Sequence, residues 1–91
     1  IKKRFSGFFD TGLDKLLVYL KVNQLIIAGI NTMSCIRSTA IDAYTRDYGV
    51  ILALDCVDGH DEVQHETSLT YLQHAVAEGK TNKEIFEEYD L

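Results

Sequence analysis

Proline is absent, cysteine occurs only twice, and no apolar run extends beyond residues 25–30. With no proline, low-complexity tract or internal repeat to mark a linker, the 91 residues read as part of one domain. The longest apolar run falls far short of the roughly 20 residues that cross a bilayer. No basic, apolar and small-residue succession marks a secretory leader. A soluble, cytoplasmic chain with no membrane partner is therefore expected. Two cysteines, Cys35 and Cys56, are too few for the disulfide framework of a small secreted domain, so reduced thiols are expected. Positive charge is scarce as well: nine Lys and Arg stand against fourteen Asp and Glu, a net charge of −5, which argues against a nucleic-acid partner. An initiating methionine is also missing. Ile1 opens inside a segment that already reads as structured, from which a fragment is expected.

What is present is ordinary for a globular protein, with 46% hydrophobic and 25% charged residues. Leu13, Leu16, Leu17 and Leu20 recur at helical spacing and predict a helix over 12–21, with Thr11 and Asp14 resembling a capping box and Val22-Asn23 closing it. Residues 24–30 are apolar on both faces, as a central parallel strand covered by helices would be. A second helix is predicted over 35–47, with Ile36, Ala40, Ala43 and Tyr44 inward and Gly49 stopping it. Residues 50–57 form the next strand, with Cys56 packed on it, and Asp58-Gly59 turns the chain into a third helix over 61–77. Val63, Tyr71, Leu72, Ala75 and Val76 give that helix its apolar side, and Gly79 ends it. A short helix over 83–89 follows. Strands alternating with helices imply an α/β fold, a three-layer α/β/α sandwich on a parallel sheet. Counting a strand ahead of the 12–21 helix, the order reads strand, helix, strand, helix, strand, helix, and a sheet of only three such strands is narrow, so more strands are expected.

Ligands in such folds gather at the carboxyl ends of the strands, and Cys35 falls just beyond the end of the 24–30 strand. A thiol in the first turn of a helix sits among backbone N–H groups that favour its thiolate and can hold an oxyanion. A free cysteine is equally at home as a small buried filler, and position alone leaves the two readings even. His60, His65 and His74 do not share a helical face, so no metal site is expected from them, and no cofactor is expected. His65-Glu66 lacks the second histidine of a zinc-protease helix. Tyr44 and Tyr48 read as core or interface residues.

The segments KKRFSGFFDTGLDKLL, NQLIIAGINTMSCIRSTAIDAYTRDYG and DCVDGHDEVQHETSL together resemble the carboxyl half of the isochorismatase-like cysteine hydrolases over about residues 2–72. Residues 1–91 would then be the carboxyl-terminal part of a single domain of that fold. The resemblance implies a nucleophile at Cys35 and a partner lysine at Lys2, which precedes Arg4, Phe5, Ser6 and Phe8 as the family pattern requires. It implies a cis peptide between Ile30 and Asn31 and an oxyanion hole from the backbone N–H groups of Asn31 and Cys35. Thr32, Met33 and Phe8 would meet a small-molecule substrate, Thr32 also fixing the turn. The family's catalytic Asp lies well before the lysine, and Asp10, Asp14 and Asp55 do not match it. The metal site that nicotinamidases carry belongs to that same earlier half. A homo-oligomer, dimer or tetramer, is implied too.

Cleavage of an amide or carbamoyl C–N bond through a thioester is the activity the resemblance implies. A vinyl-ether hydrolase of isochorismatase type is the alternative within the family, but members with that activity can carry a small residue where Cys35 stands. Gly59-His60 replaces the arginine with which some relatives grip a carboxylate, so no carboxylate substrate is inferred. A half-domain serving only assembly or binding is the alternative outside enzymology.

Overall fold

The computed structural model describes residues 4–89. Helix α1 spans Leu13–Tyr19 and strand β1 Gln24–Ile30. A single π turn, Thr32–Ile36, runs directly into α2, Arg37–Thr45. Strand β2 covers Gly49–Asp58, α3 Glu62–Ala75, β3 Glu78–Lys80 and α4 Asn82–Tyr89. The sheet order is β1-β2-β3 with both pairings parallel, Leu25 beside Val50 and Leu52 beside Gly79.

Side chains alternate across the central strand, and the alternation builds the two outer layers. Val50, Leu52 and Val57 join Ile27, Ile36, Ala40, Ala43, Leu69 and Leu72 in the main core beneath α1, α2 and α3. Ile51 and Ala53 point the other way, onto Ile85 of α4. The result is an α/β/α sandwich. Leu52 and Leu72 are 0% exposed. Each such burial contributes about 1.5–3 kcal/mol. Lys80, itself buried, binds Glu88 and so fastens α4 to β3.

Several expectations are corrected. Among the described residues β2 stands between β1 and β3, and β1 borders the three strands with Ile26 44% and Ile30 69% exposed. The third strand crosses Gly79, which therefore ends no helix; α3 stops at Ala75 with Val76 as its cap. Gly49 does not stop α2 either. Asp47, at φ 66°, turns that helix out in the left-handed conformation, while the Tyr48 N–H donates to the Ala43 carbonyl. Gly49 opens β2 instead, where an added Cβ would come within 3.0 Å of the Gln24 side chain. Thr11 and Asp14 form no capping box: the Thr11 hydroxyl donates to the Gly7 carbonyl and accepts from the Leu13 N–H at 3.3 Å, and Gly12 stands at the helix start. Tyr44 and Val63 are exposed rather than inward, and Cys56 is exposed near the end of β2 beside Asn82 rather than packed.

Candidate active site

Two turns leave the sheet side by side at its carboxyl edge, since Ile30 pairs with Asp58 in the parallel register. The register slips between Ile27 and Gly29, and Gly29 takes φ +124°, a conformation that side chains disfavour. The next peptide, Ile30–Asn31, is cis. Asn31 is extended, and its carbonyl accepts from the N–H groups of both Ser34 and Ile36, which starts the π turn. Such turns recur at functional sites in proteins generally. Cys35 is the fourth residue of this helical run. The helix therefore begins at Thr32 rather than at Cys35 as the spacing predicts, and the thiol is half-buried on its first turn.

The second turn braces the first. Asn31 and Thr32 are both residue types that cap helices, yet neither caps this one. The Asn31 carboxamide oxygen lies 3.3 Å from His60 Nδ1, and Thr32 Oγ1 lies 2.7 Å from His65 Nδ1. Thr32 is 0% exposed, and a hydroxyl so deeply buried needs a partner. His65 provides it from the first turn of α3, which Asp61 caps by accepting from the Gln64 N–H at 3.0 Å. Gly59 passes close by, its Cβ direction meeting the Thr32 nitrogen at 3.8 Å and His65 Cβ at 3.6 Å. The sequence does not single out His60, while His65-Glu66 resembles a recurring structural element of the family without revealing Thr32 as its partner. The signal was the turn-and-cap pattern Asp58-Gly59 and Asp61, which brings both histidines to the end of β1 once the strands are paired.

The remaining expected residues are distributed as follows. Lys2 lies outside the described residues. The segment after it is tied to α2, because the Gly7 N–H donates to Thr39 Oγ1 at 2.9 Å. Ser6 is buried and accepts from the Phe8 N–H at 3.1 Å. Phe8 is a core residue rather than a substrate contact: it is 4% exposed, stacks on Tyr48 with centroids 6.2 Å apart, and carries the Arg46 guanidinium 4.8 Å over its ring. Met33 lines a cavity of about 220 Å³ with Arg37 of α2 and Gln64, Thr67 and Ser68 of α3. A second cavity, of about 370 Å³, lies between the Arg4–Phe9 turn and Ser38, Ile41 and Asp42 of α2. Among the described residues no three His, Cys, Asp or Glu side chains come together as metal ligands, so these residues do not by themselves fit a zinc site. None of the described helices is long and apolar enough to cross a membrane.

Comparison with known proteins agrees with this geometry. The isochorismatase domain family matches residues 1–84. An uncharacterized isochorismatase family protein, YaaI of Bacillus subtilis, is 36% identical over 88 residues, which are 96% of this chain and 49% of that protein. The maleamate amidohydrolase of Pseudomonas putida is 35% identical over 68 residues, 75% of this chain and 32% of that enzyme. A crystal structure of an isochorismatase-like hydrolase from Alkaliphilus metalliredigens superposes with a TM-score of 0.92 at 32% identity, covering 97% of this chain and 49% of that one. The chain thus spans about half the length of YaaI and of that hydrolase. With the family matched over residues 1–84 of this chain and the fold reproduced, the chain belongs to the isochorismatase family.

Proposed function

We propose that the protein of which this chain is part is a cysteine hydrolase that cleaves the C–N bond of a small amide or carbamoyl compound. The observation that carries this reading is the delivery of Cys35, half-buried, by a braced turn at the carboxyl edge of a parallel sheet. That edge is where ligands gather in open α/β folds. The similarity to a maleamate amidohydrolase supports amide chemistry over vinyl-ether cleavage. The Cys35 sulfur attacks the carbonyl carbon, and the π electrons move to oxygen, where the backbone N–H groups of Asn31 and Cys35 would receive the negative charge. Collapse expels the nitrogen, which takes a proton as it leaves, and a thioester remains. Water then attacks the thioester, forms the acid and returns the thiol. The family resemblance assigns the proton transfers to an Asp outside these residues and assigns to Lys2 the electrostatic support of the sulfur. Met33 would border the substrate, whereas Thr32, wholly buried and bonded to His65, would hold the turn rather than touch the substrate. A cytoplasmic dimer or tetramer is the form we expect of the enzyme.

Removal of the nucleophile tests the reading. Ammonia release from a panel of small amides and carbamoyl compounds should fall by at least a thousandfold in Cys35→Ala while the circular dichroism spectrum stays unchanged, because exchange of a half-buried thiol for a methyl leaves little cavity. Retention of full turnover would refute a cysteine mechanism.

A further inference from the structure

We propose that His65 is a positioning residue for the nucleophile turn. Acting through Thr32, it holds the backbone that carries Asn31 and Cys35 in the arrangement that receives an oxyanion. The inference rests on the assignment of Cys35 as nucleophile, and it adds a residue that touches neither the sulfur nor the reacting carbonyl.

The geometry is asymmetric in a way that plain packing does not require. Thr32 is wholly buried, and its hydroxyl is spent on His65 at 2.7 Å instead of on the helix start it occupies. A methyl-bearing residue of the same volume, such as valine, would fill the space without needing a partner. The hydroxyl and the imidazole join two elements separated by 33 residues in the chain, the turn after β1 and the first turn of α3. The bond is short, and buried from water on the threonine side, so it holds position more firmly than an exposed contact would. The neighbouring pair runs parallel to it: His60 Nδ1 faces Asn31 Oδ1 at 3.3 Å from the same loop, but in an exposed setting that makes it the weaker of the two. Asn31 is therefore tethered through its own side chain and through the residue that follows it. Its carbonyl at the same time accepts from Ser34 and Ile36, on either side of Cys35. Loosening of Thr32 would move the two ends of the π turn relative to each other. A misplacement of about 1 Å at a reacting centre can cost roughly a hundredfold in rate.

Two reactions of Cys35 in the full chain separate this role from a structural one. Alkylation by iodoacetamide reads the sulfur alone. Reversible addition of a small aldehyde reads the sulfur and the oxyanion donors together: an S–C bond forms, the carbonyl π bond opens, and the new oxygen takes the thiol proton or keeps its charge against the N–H groups. In His65→Leu the aldehyde should bind at least tenfold more weakly, while alkylation changes less than threefold. His65→Asn, whose amide can stand near the Nδ1 position, should recover most of the affinity. Thr32→Val should show the same loss as His65→Leu, Thr32→Ser should not, and the double variant His65→Leu with Thr32→Val should be no worse than either single change. If His65→Leu does not fold, the Thr32→Val and Thr32→Ser pair reads the same contact. Unchanged aldehyde affinity in His65→Leu or in Thr32→Val would overturn the role, as would equal losses in His65→Leu and His65→Asn, or parallel losses of both reactions. An unmodified chain that forms no adduct with the aldehyde and is not alkylated at Cys35 would remove the nucleophile assignment itself, and this inference with it.

Discussion

At Gly29 an added Cβ would find Ile36 Cδ1 no closer than 3.7 Å, so space is adequate and the backbone, at φ +124°, is the constraint. Gly29→Ala is accordingly expected to lower the free energy of unfolding by about 1–3 kcal/mol in urea titrations. The cysteine and its turn were readable because the motif over residues 29–35 combines a glycine, a turn and a thiol in a fixed spacing. The histidines were not, since nothing local links His65 to Thr32; only the pairing of β1 with β2 makes them neighbours. Phe8 was misread for a related reason. A motif records that a residue type is required, and a core ring stacked on Tyr48 is required as firmly as a ligand contact. Tyr48 also carries a pH signature. Burial and the nearby Asp14 carboxylate, 3.4 Å from its hydroxyl, push its pKa above 10.0. The folded chain therefore holds this proton more tightly than the unfolded one, and the associated stability, complete below pH 10, is lost as pH rises through the folded value. Unfolding midpoints measured above pH 10 should fall less steeply in Tyr48→Phe than in the unmodified protein.

Element ends were less legible than element cores. Both α1 and α2 finish on left-handed residues that are not glycine: Lys21 at φ 59° and Asp47 at φ 66°, each followed by a backbone bond that reaches back across the last turn, Val22 to Leu17 and Tyr48 to Ala43. A search for glycine stops misses them and lands on Gly49 and Gly79, which serve strands. The true capping box stands at Thr81 and Glu84, not at Thr11 and Asp14. The Thr81 N–H donates to Glu84 Oε1 at 2.9 Å and the Glu84 N–H to Thr81 Oγ1 at 3.2 Å. Asp14 is one methylene shorter than the glutamate that the reciprocal bond needs. The backbone bond from Thr81, chiefly, lowers the Glu84 pKa below its ordinary value. Stability from this pair is present above the unfolded carboxyl range and is lost as pH falls through the folded value. Acid unfolding followed by circular dichroism should show that loss, and Glu84→Gln, which keeps the hydrogen-bond acceptor without the charge, should remove its pH dependence. The β3 strand escaped notice because three residues, one of them glycine, carry no periodicity.

At the scale of the molecule, strands and helices in alternation were sufficient to predict the parallel sheet and its three layers, because residues 24–30 and 50–57 are apolar on both faces. The order β1-β2-β3 comes from the pairing, as β1 and β2 look alike in sequence. The same alternation put the nucleophile candidate at the carboxyl edge, where the loops after β1 and β2 meet. The thiol that the account makes reactive is half-buried, whereas Cys56 is exposed and hydrogen-bonded only to Asn82 at 3.4 Å among the contacts described for its sulfur. Exposure and mechanism therefore point in opposite directions, which makes their competition informative. The full chain, treated with substoichiometric iodoacetamide at neutral pH and digested for peptide mass mapping, should carry the label on Cys35 well ahead of Cys56. Labelling of Cys56 first, or of both at equal rates, would contradict the assignment of Cys35 as the nucleophile.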